Sequence, residues 1–478
     1  MPLILSGNVA SATAGAYEVK NSCRFGTDTY MDKDNSASSP THADKYTISF
    51  WCKKCQTSGG ASGAPAEDGY LIFSSSGSGT NGDYSDHYCQ IYFKNDDDIR
   101  WQEYDDGTSG QLETNQVFRD PAAWYHLVFR FDSTDGTADD RMRIYVNGTQ
   151  VTSFQTRTNI DQNTDSWVNY ASAGHRIGGG GARHFDGYLE EFVLVDGQSL
   201  APTEFGEFDE DSPTIWKPKN VSGLTFGTHG YYLDFETSGT LGNDANGGTD
   251  FSVTNLAAVD QTTDSPTNNF ATMNPLANLL SNPGVFSEGN LKIVAGGSWC
   301  SYTSTIGVNK GKWYAEAKLA ASAASAAGIL SENTLNTGNG TSDYGIRVNL
   351  GAGNQYQGIG YHTEGYKYPG SGADRSSYGT SYATDAIIGI ALNLDDEEVT
   401  FYEDNTSHGA ISITTGNEFW FFSCSHYSSG DSWEMNFGNP PYANSSDAAD
   451  ENGYGKFEFS PPAGFLALCT KNLGSDGG

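Results

Sequence analysis

The 478-residue sequence is short of positive charge: 26 lysines and arginines stand against 59 aspartates and glutamates, a formal net charge of −33. That excess repels phosphate, so nucleic-acid binding is not expected, and an anionic membrane surface is disfavoured for the same reason. Long apolar runs are missing too. No stretch approaches the ~20 apolar residues needed to cross a bilayer, so no membrane insertion is expected. The N-terminal MPLILSGNVASATAG has no basic region and an apolar run confined to residues 3–5, so no Sec-type signal is visible. Amphipathic helices of normal length are absent. The Ala-rich run 320–327 spans only about two turns before Gly328, is marginal as an isolated helix, and reads as a loop or short turn between strands. The seven cysteines (Cys23, Cys52, Cys55, Cys89, Cys300, Cys424 and Cys469) are odd in number and irregular in spacing, which argues against a disulfide framework. Cys52 and Cys55 form a C-x-x-C with no second pair and no H-x-x-x-H, so they read as buried thiols rather than zinc ligands.

Catalytic signatures are missing as well. There is no G-x-S-x-G, H-E-x-x-H or P-loop. The glycine run 178–181 lacks the Lys-Ser/Thr and the helix of a phosphate cradle. A retaining glycosidase needs two carboxyls about 5–5.5 Å apart, supplied in such a sandwich by residues two or four apart on one strand. No such motif occurs. Glu190 and Glu191 are adjacent, which in a regular strand turns them to opposite faces. The expectation is a protein that is not an enzyme and needs no cofactor. Calcium is the possible exception: the clusters 96–98, 105–106 and 132–140 offer hard oxygen donors. Asp96, Asp98 and Asp105 are the candidate ligands.

What the sequence does have is aromatics, 13% of residues, and 58 glycines among its turns. Aromatic and β-branched runs broken by Gly, Asn, Asp and Ser are the composition of an all-β protein. From 21 to 208 such runs recur. YTISFW (46–51) alternates, WYHLVFRF (124–131) is apolar on both faces, and RMRIYVNGTQV (141–151) places Asn147-Gly148 where a type I′ hairpin turns. Residues 209–285 are polar and Pro/Gly-containing, and read as an extended connector packing along the domains. A second β region, 286–473, contains KWYAEAKL (312–319), IIGIALNL (387–394), VTFYED (399–404), EFWFF (418–422) and WEMNFG (433–438). Residues 1–20 read as a docking arm and 474–478 as a short tail.

Two aromatic clusters are candidates for binding glycans, whose apolar faces pack on rings while their hydroxyls meet amides and carboxylates. One is the stretch 354–382, with Tyr356, Tyr361, Tyr366, Tyr368, Tyr378 and Tyr382 beside Gln355, Gln357, Asp374 and Arg375. The other is Tyr84, Tyr88, Trp101 and Tyr104. Core or subunit-interface aromatics are the competing reading of both.

The order TISFW, WYHLVFRF, MRIYVNGTQV, RIGG, FDGYLEEFVLVDGQSL resembles the laminin-G-like, concanavalin-A-like fold over about 190 residues, ending in Gly187, Leu189, Glu190, Glu191 and Ser199-Leu200. The second half is similar to SPRY domains, in the order KGKWYAEAKL, IIGIALNLDDEEVTFYED, the NFG segment and PPAGFLAL (461–468). The segments TDSPTNNFATMNPL and PAGFLALCTKNL look like those of tailed-phage structural proteins, especially marine ones. These resemblances imply two concanavalin-A-like or jelly-roll antiparallel β-sandwiches. They also imply a virion appendage (fibre, spike, or head or tail decoration) whose partners are other virion proteins, copies of itself as a homo-oligomer with a trimer favoured, and a host cell-surface glycan. A purely structural cement and, less favoured, a polysaccharide-degrading enzyme are the alternatives.

Overall fold

The computed structural model describes residues 17–35, 38–56, 69–76, 87–105, 107–171, 173–180, 183–277, 283–297, 300–321, 324–335, 358–369 and 375–475. The chain divides into two units, one within 13–267 and the other within 268–478. Each is a sandwich of antiparallel sheets. The described α-helices are only Glu332–Leu335 and Thr470–Ser475.

The first unit packs two eight-stranded sheets. In one, Lys45–Lys54 lies between Trp124–Asp132 and Gly187–Asp196. In the other, Tyr70–Ser76, His87–Phe93, Asp98–Asp105 and Thr108–Val117 are successive neighbours. Strand alternation sends Phe50, Phe129, Phe192, Ile91, Trp101 and Leu112 into the shared core. Phe50 stacks on Phe192 at 4.9 Å, and Trp101 meets Phe129 edge-on at 5.6 Å. Each such side chain contributes about 1.5–3 kcal/mol by leaving water. The hairpin forms where the sequence places it: Asn147 and Gly148 have φ of +47° and +76°, and Val146 pairs with Thr149.

The span 209–285 is not a connector; it is divided between the two units. Tyr231–Leu233, Ser252–Thr254 and Gln261–Thr262 extend the first unit's sheets. Phe205, Val221 and Phe226 cover the back of the first sheet over Val128, Val193 and Val195. This is why WYHLVFRF is apolar on both faces, as is the run Phe192–Val195. The end of the expected docking arm is fastened here too: Val19 is buried, and its carbonyl accepts from Ser265 Oγ at 2.9 Å and Thr267 Oγ1 at 2.7 Å. Residues 1–16 lie outside the described residues.

Between Glu190 and Val193 a bulge interrupts the register with Lys45–Lys54, and Glu191 takes φ of +45°. The extra residue corrects the expectation that the two glutamates point apart. Both face the covered back of the sheet, where Tyr232 Oη donates to Glu191 Oε1 at 2.5 Å and Tyr17 Oη at 2.8 Å. Burial, reinforced by the adjacent carboxyl, pushes the Glu190 acid well up, and burial raises Glu191 to about 7.

The second unit pairs an eight-stranded sheet with a six-stranded one around Trp313, Trp420, Trp433, Ile390, Phe401 and Phe422. Segment 268–285 joins it through Ala271 N–H to the Leu468 carbonyl and through the strand Gly284–Ser287. The Ala-rich run is mostly strand: Lys312–Ala321 takes its first two alanines, and Ser325–Ser331 begins with its last three residues. Small side chains there let Gly328 approach the Ile359 carbonyl so closely that a Cβ would collide with it.

Candidate functional site

The outer face of the first unit's second sheet carries an ordered set of polar and aromatic side chains. Its strand registers align one residue from every strand into a single transverse row: Thr158, Gln111, Gln102, Gln90, Ser74, Arg176, Asp32 and Ser252. Every member is polar, although the same strands turn Leu112, Trp101 and Ile91 inward. The next row along holds Ser109, Tyr104, Tyr88 and Ser76. The Tyr88 and Tyr104 rings stack at 5.3 Å, and both stay half-buried. On the other flank Arg100 donates to Tyr92 Oη at 2.9 Å and to Glu113 Oε2 at 2.8 Å. Arg176 binds Asp32 in a two-pronged bond of 2.7 and 2.8 Å and lies 4.1 Å over Tyr30. At the centre Gln90 is 3% exposed; its Oε1 accepts from Arg183 at 3.3 Å, while its Nε2 has no partner.

One residue further along, at the rim, His87 faces Asp105 across the strands. Their neighbour is the 3-10 turn Trp167–Asn169. His87 stacks on Trp167 at 4.5 Å and Tyr170 lies tilted against Trp167 at 4.1 Å, while Trp167 Nε1 donates to Asp105 Oδ1 at 3.1 Å. Tyr170 is 42% exposed. Beneath the turn Ser166 Oγ donates to Glu103 at 3.0 Å, and Tyr46 donates to the same carboxyl. Burial raises Glu103 to about 7. The arrangement offers fixed hydroxyl, amide and guanidinium groups between two aromatic flanks.

The residues singled out from sequence separate into two groups. Tyr88 and Tyr104 belong to this face, whereas Trp101 does not: three residues from Tyr104, it has the opposite parity and lies in the core with no exposure. In the second unit Tyr361 and Tyr368 are buried, so they present no platform to solvent. Tyr361 Oη is spent on the Thr380 carbonyl at 2.5 Å with His408 and Glu403 at 3.3 Å. Tyr378 Oη donates to the Gly409 carbonyl at 2.5 Å, and Tyr382 packs in the core. Arg375 and Tyr366 remain accessible, joined to each other at 4.4 Å, with Arg375 bonded to Glu364 at 3.0 Å. Tyr84, Gln355, Tyr356, Gln357 and Asp374 lie outside the described residues.

The calcium candidates do not converge. Asp98 Oδ2 accepts from Gln155 Nε2 at 2.7 Å with Lys94 at 3.6 Å. Its neighbour Asp97 is held by Lys54 and by Arg119 at 3.0 Å. Asp96 is exposed, and Asp105 is at the far end of the strand Asp98–Asp105. Among the described residues no group of three or more His, Cys, Asp or Glu side chains is placed to hold a metal.

The comparison with known families decides the fold of this region. Residues 25–204 match Laminin_G_3, of the concanavalin A-like lectin/glucanases superfamily. That span, less than half of the chain, holds all of the face described above except Ser252. No curated protein matches the sequence. Among solved structures, the SPRY domain of human HERC1 is similar at 14% identity, over 34% of this chain and 96% of that one, with a TM-score of 0.26. A heptameric SAP-like pentraxin from Limulus polyphemus is similar at 16% identity, over 39% and 80%, with a TM-score of 0.27. A second human SPRY domain shares 13% identity over 32% and 93%, with a TM-score of 0.24.

Proposed function

We propose that the chain is a carbohydrate-binding display protein whose first sandwich takes a glycan across its outer sheet face and rim. The observation that carries this reading is the unbroken polar row crossing all eight strands, flanked by the stacked Tyr88 and Tyr104, in a region of lectin/glucanase fold. Sugar rings present apolar faces to aromatic rings and hydroxyls to amides and guanidinium groups, and both partners are in register here. Binding without hydrolysis fits the carboxylates of this face: Asp32 is committed to Arg176, and Glu113 to Arg100 and to Lys94 at 2.8 Å. In its finer form the proposal is a bacteriophage virion appendage, homo-oligomeric and attached to other virion proteins, that engages a host-surface glycan. The sequence resemblance of its phage-like segments supports that form.

The test is a glycan array probed with the purified full chain and with the double variant Tyr88→Ala/Tyr104→Ala. Specific binding that the variant loses is the expected result. No binding to any glycan or host envelope preparation would overturn the reading. Release of reducing sugar from a bound glycan would turn it into a hydrolase.

A further inference from the structure

Three buried lysines of the first unit face aspartates: Lys33 with Asp244, Lys53 with Asp264, and Lys54 with Asp97. They are not equivalent. Asp97 carries a second cation, Arg119, at 3.0 Å, and Asp264 Oδ1 takes the Trp124 indole N–H at 3.0 Å. Around Lys33 the surroundings have a different chemistry. We infer that the Lys33 amine and the Asp244 carboxyl condense into an intramolecular isopeptide bond.

The reacting groups are in place. Lys33 Nζ lies 3.4 Å from Asp244 Oδ2, with side-chain exposures of 7% and 0%. The Tyr231 and Phe251 rings stand 4.9 and 5.5 Å from Nζ and exclude water from it. Burial lowers the lysine below its ordinary range, against the opposing pull of Asp244, and so favours the neutral, nucleophilic amine. The acid is held for attack: Asp244 Oδ1 accepts the backbone N–H groups of Tyr232 at 3.0 Å and Asn246 at 3.1 Å. Two fixed donors on one carboxyl oxygen are placed where negative charge would develop in a tetrahedral intermediate. Asp250 Oδ1 accepts the Asp244 N–H at 3.0 Å and fixes the main chain behind it. Gly248 leaves room for the carboxyl, since a Cβ there would meet Asp244 Oδ2.

The step balances without a co-reactant. A proton passes from the ammonium to the carboxylate, giving amine and acid. Nζ attacks Cγ, the C–N bond forms, and charge gathers on Oδ1. The second amine proton goes to the departing Oδ2 hydroxyl as the C–O bond breaks, and one water leaves. The product links the strand Tyr30–Asp34 to a loop of the covering segment 211 residues away in sequence. Closing so long a loop restrains the unfolded chain and fastens the covering segment.

The experiment is the intact mass of the full chain, denatured and reduced, followed by tryptic mapping. A mass lighter by one water than the sequence requires is expected, with the Lys33 peptide joined to the Asp244 peptide. Lys33→Arg and Asp244→Ala should each show the full mass of their own sequences. Full mass and separate peptides in the wild type would overturn the proposal. So would a lost water that persists in Lys33→Arg or maps to Lys53 and Asp264. The wild-type spectrum is decisive by itself, so the test does not depend on either variant folding well.

Discussion

The two sandwiches use the same materials differently. Both have all-β cores rich in aromatic side chains, and both bury a glutamate behind tyrosine: Glu103 under Tyr46 in the first, Glu316 beside Tyr314 in the second. Their tyrosines diverge. In the first unit Tyr88 and Tyr104 stand on an outer face beside a polar row. In the second, Tyr361 and Tyr382 turn inward and spend their hydroxyls on backbone carbonyls, while Tyr368, of the opposite parity, is buried against His362. A tyrosine-rich sequence therefore does not locate a binding surface; the parity of each tyrosine on its strand does.

The largest expected effect tests that distinction within one strand. Trp101→Ala removes a core side chain packed on Tyr46 and Phe129 and should cost about 3–5 kcal/mol of stability. Tyr104→Ala, on the opposite face, should cost far less. Urea unfolding of both variants reads the difference; equal losses would mean that Tyr104 is also a core residue.

The next effect concerns the matched carboxyls, both raised to about 7 from 4.5, chiefly by burial. A folded-state value above the unfolded one means that the native protein binds more protons between those limits, so each group's contribution falls as pH rises through about 4.5 to 7. Buried neutral His126, His175 and His426, lowered by burial to about 3, act in the opposite direction between about 3 and 6.5. The overall pH profile therefore mixes both signs, and the difference from a variant isolates one group. Glu103→Gln should gain on the wild type by up to about 3 kcal/mol between pH 5 and 8, and Glu316→Gln similarly. A flat difference for Glu316→Gln alone would show that its bonds from the Glu458 and Phe459 N–H groups, at 2.9 and 2.8 Å, outweigh its burial.

Much of the fold was legible in the sequence because its signals are local. Asn147-Gly148 dictates its own turn, and alternation in 46–51 marks one core face. The exclusion of Trp101 from the outer face was equally available from its odd spacing to Tyr104 on the same strand, but grouping aromatics by proximity obscured it. The bulge at Glu191 was not legible, since it exists only relative to the partner strand Lys45–Lys54. The transverse row was less legible still: its members come from eight strands spread between Asp32 and Ser252, and only the register brings them together. The covering role of 209–267 was hidden for a related reason, because scattered apolar residues such as Val221 and Phe226 read as loop until the apolar back of a sheet is found beneath them.

The smaller effects return to binding. Against a glycan found on the array, Tyr88→Ala should weaken affinity about tenfold, near 1.4 kcal/mol, with little change in stability. Tyr170→Ala, at the rim, should lose less. The smallest effect is expected from Arg375→Ala in the second unit. Its guanidinium is exposed, bonded to Glu364 over Tyr366 and to the Tyr368 hydroxyl, so removing it breaks contacts at the surface and leaves the core cluster intact. Unfolding midpoint and glycan affinity should both stay at wild-type values. A loss of affinity from Arg375→Ala with an unchanged midpoint would mean that the second sandwich also binds, and the contrast between the two units would then lie in the ligands they take rather than in whether they take one.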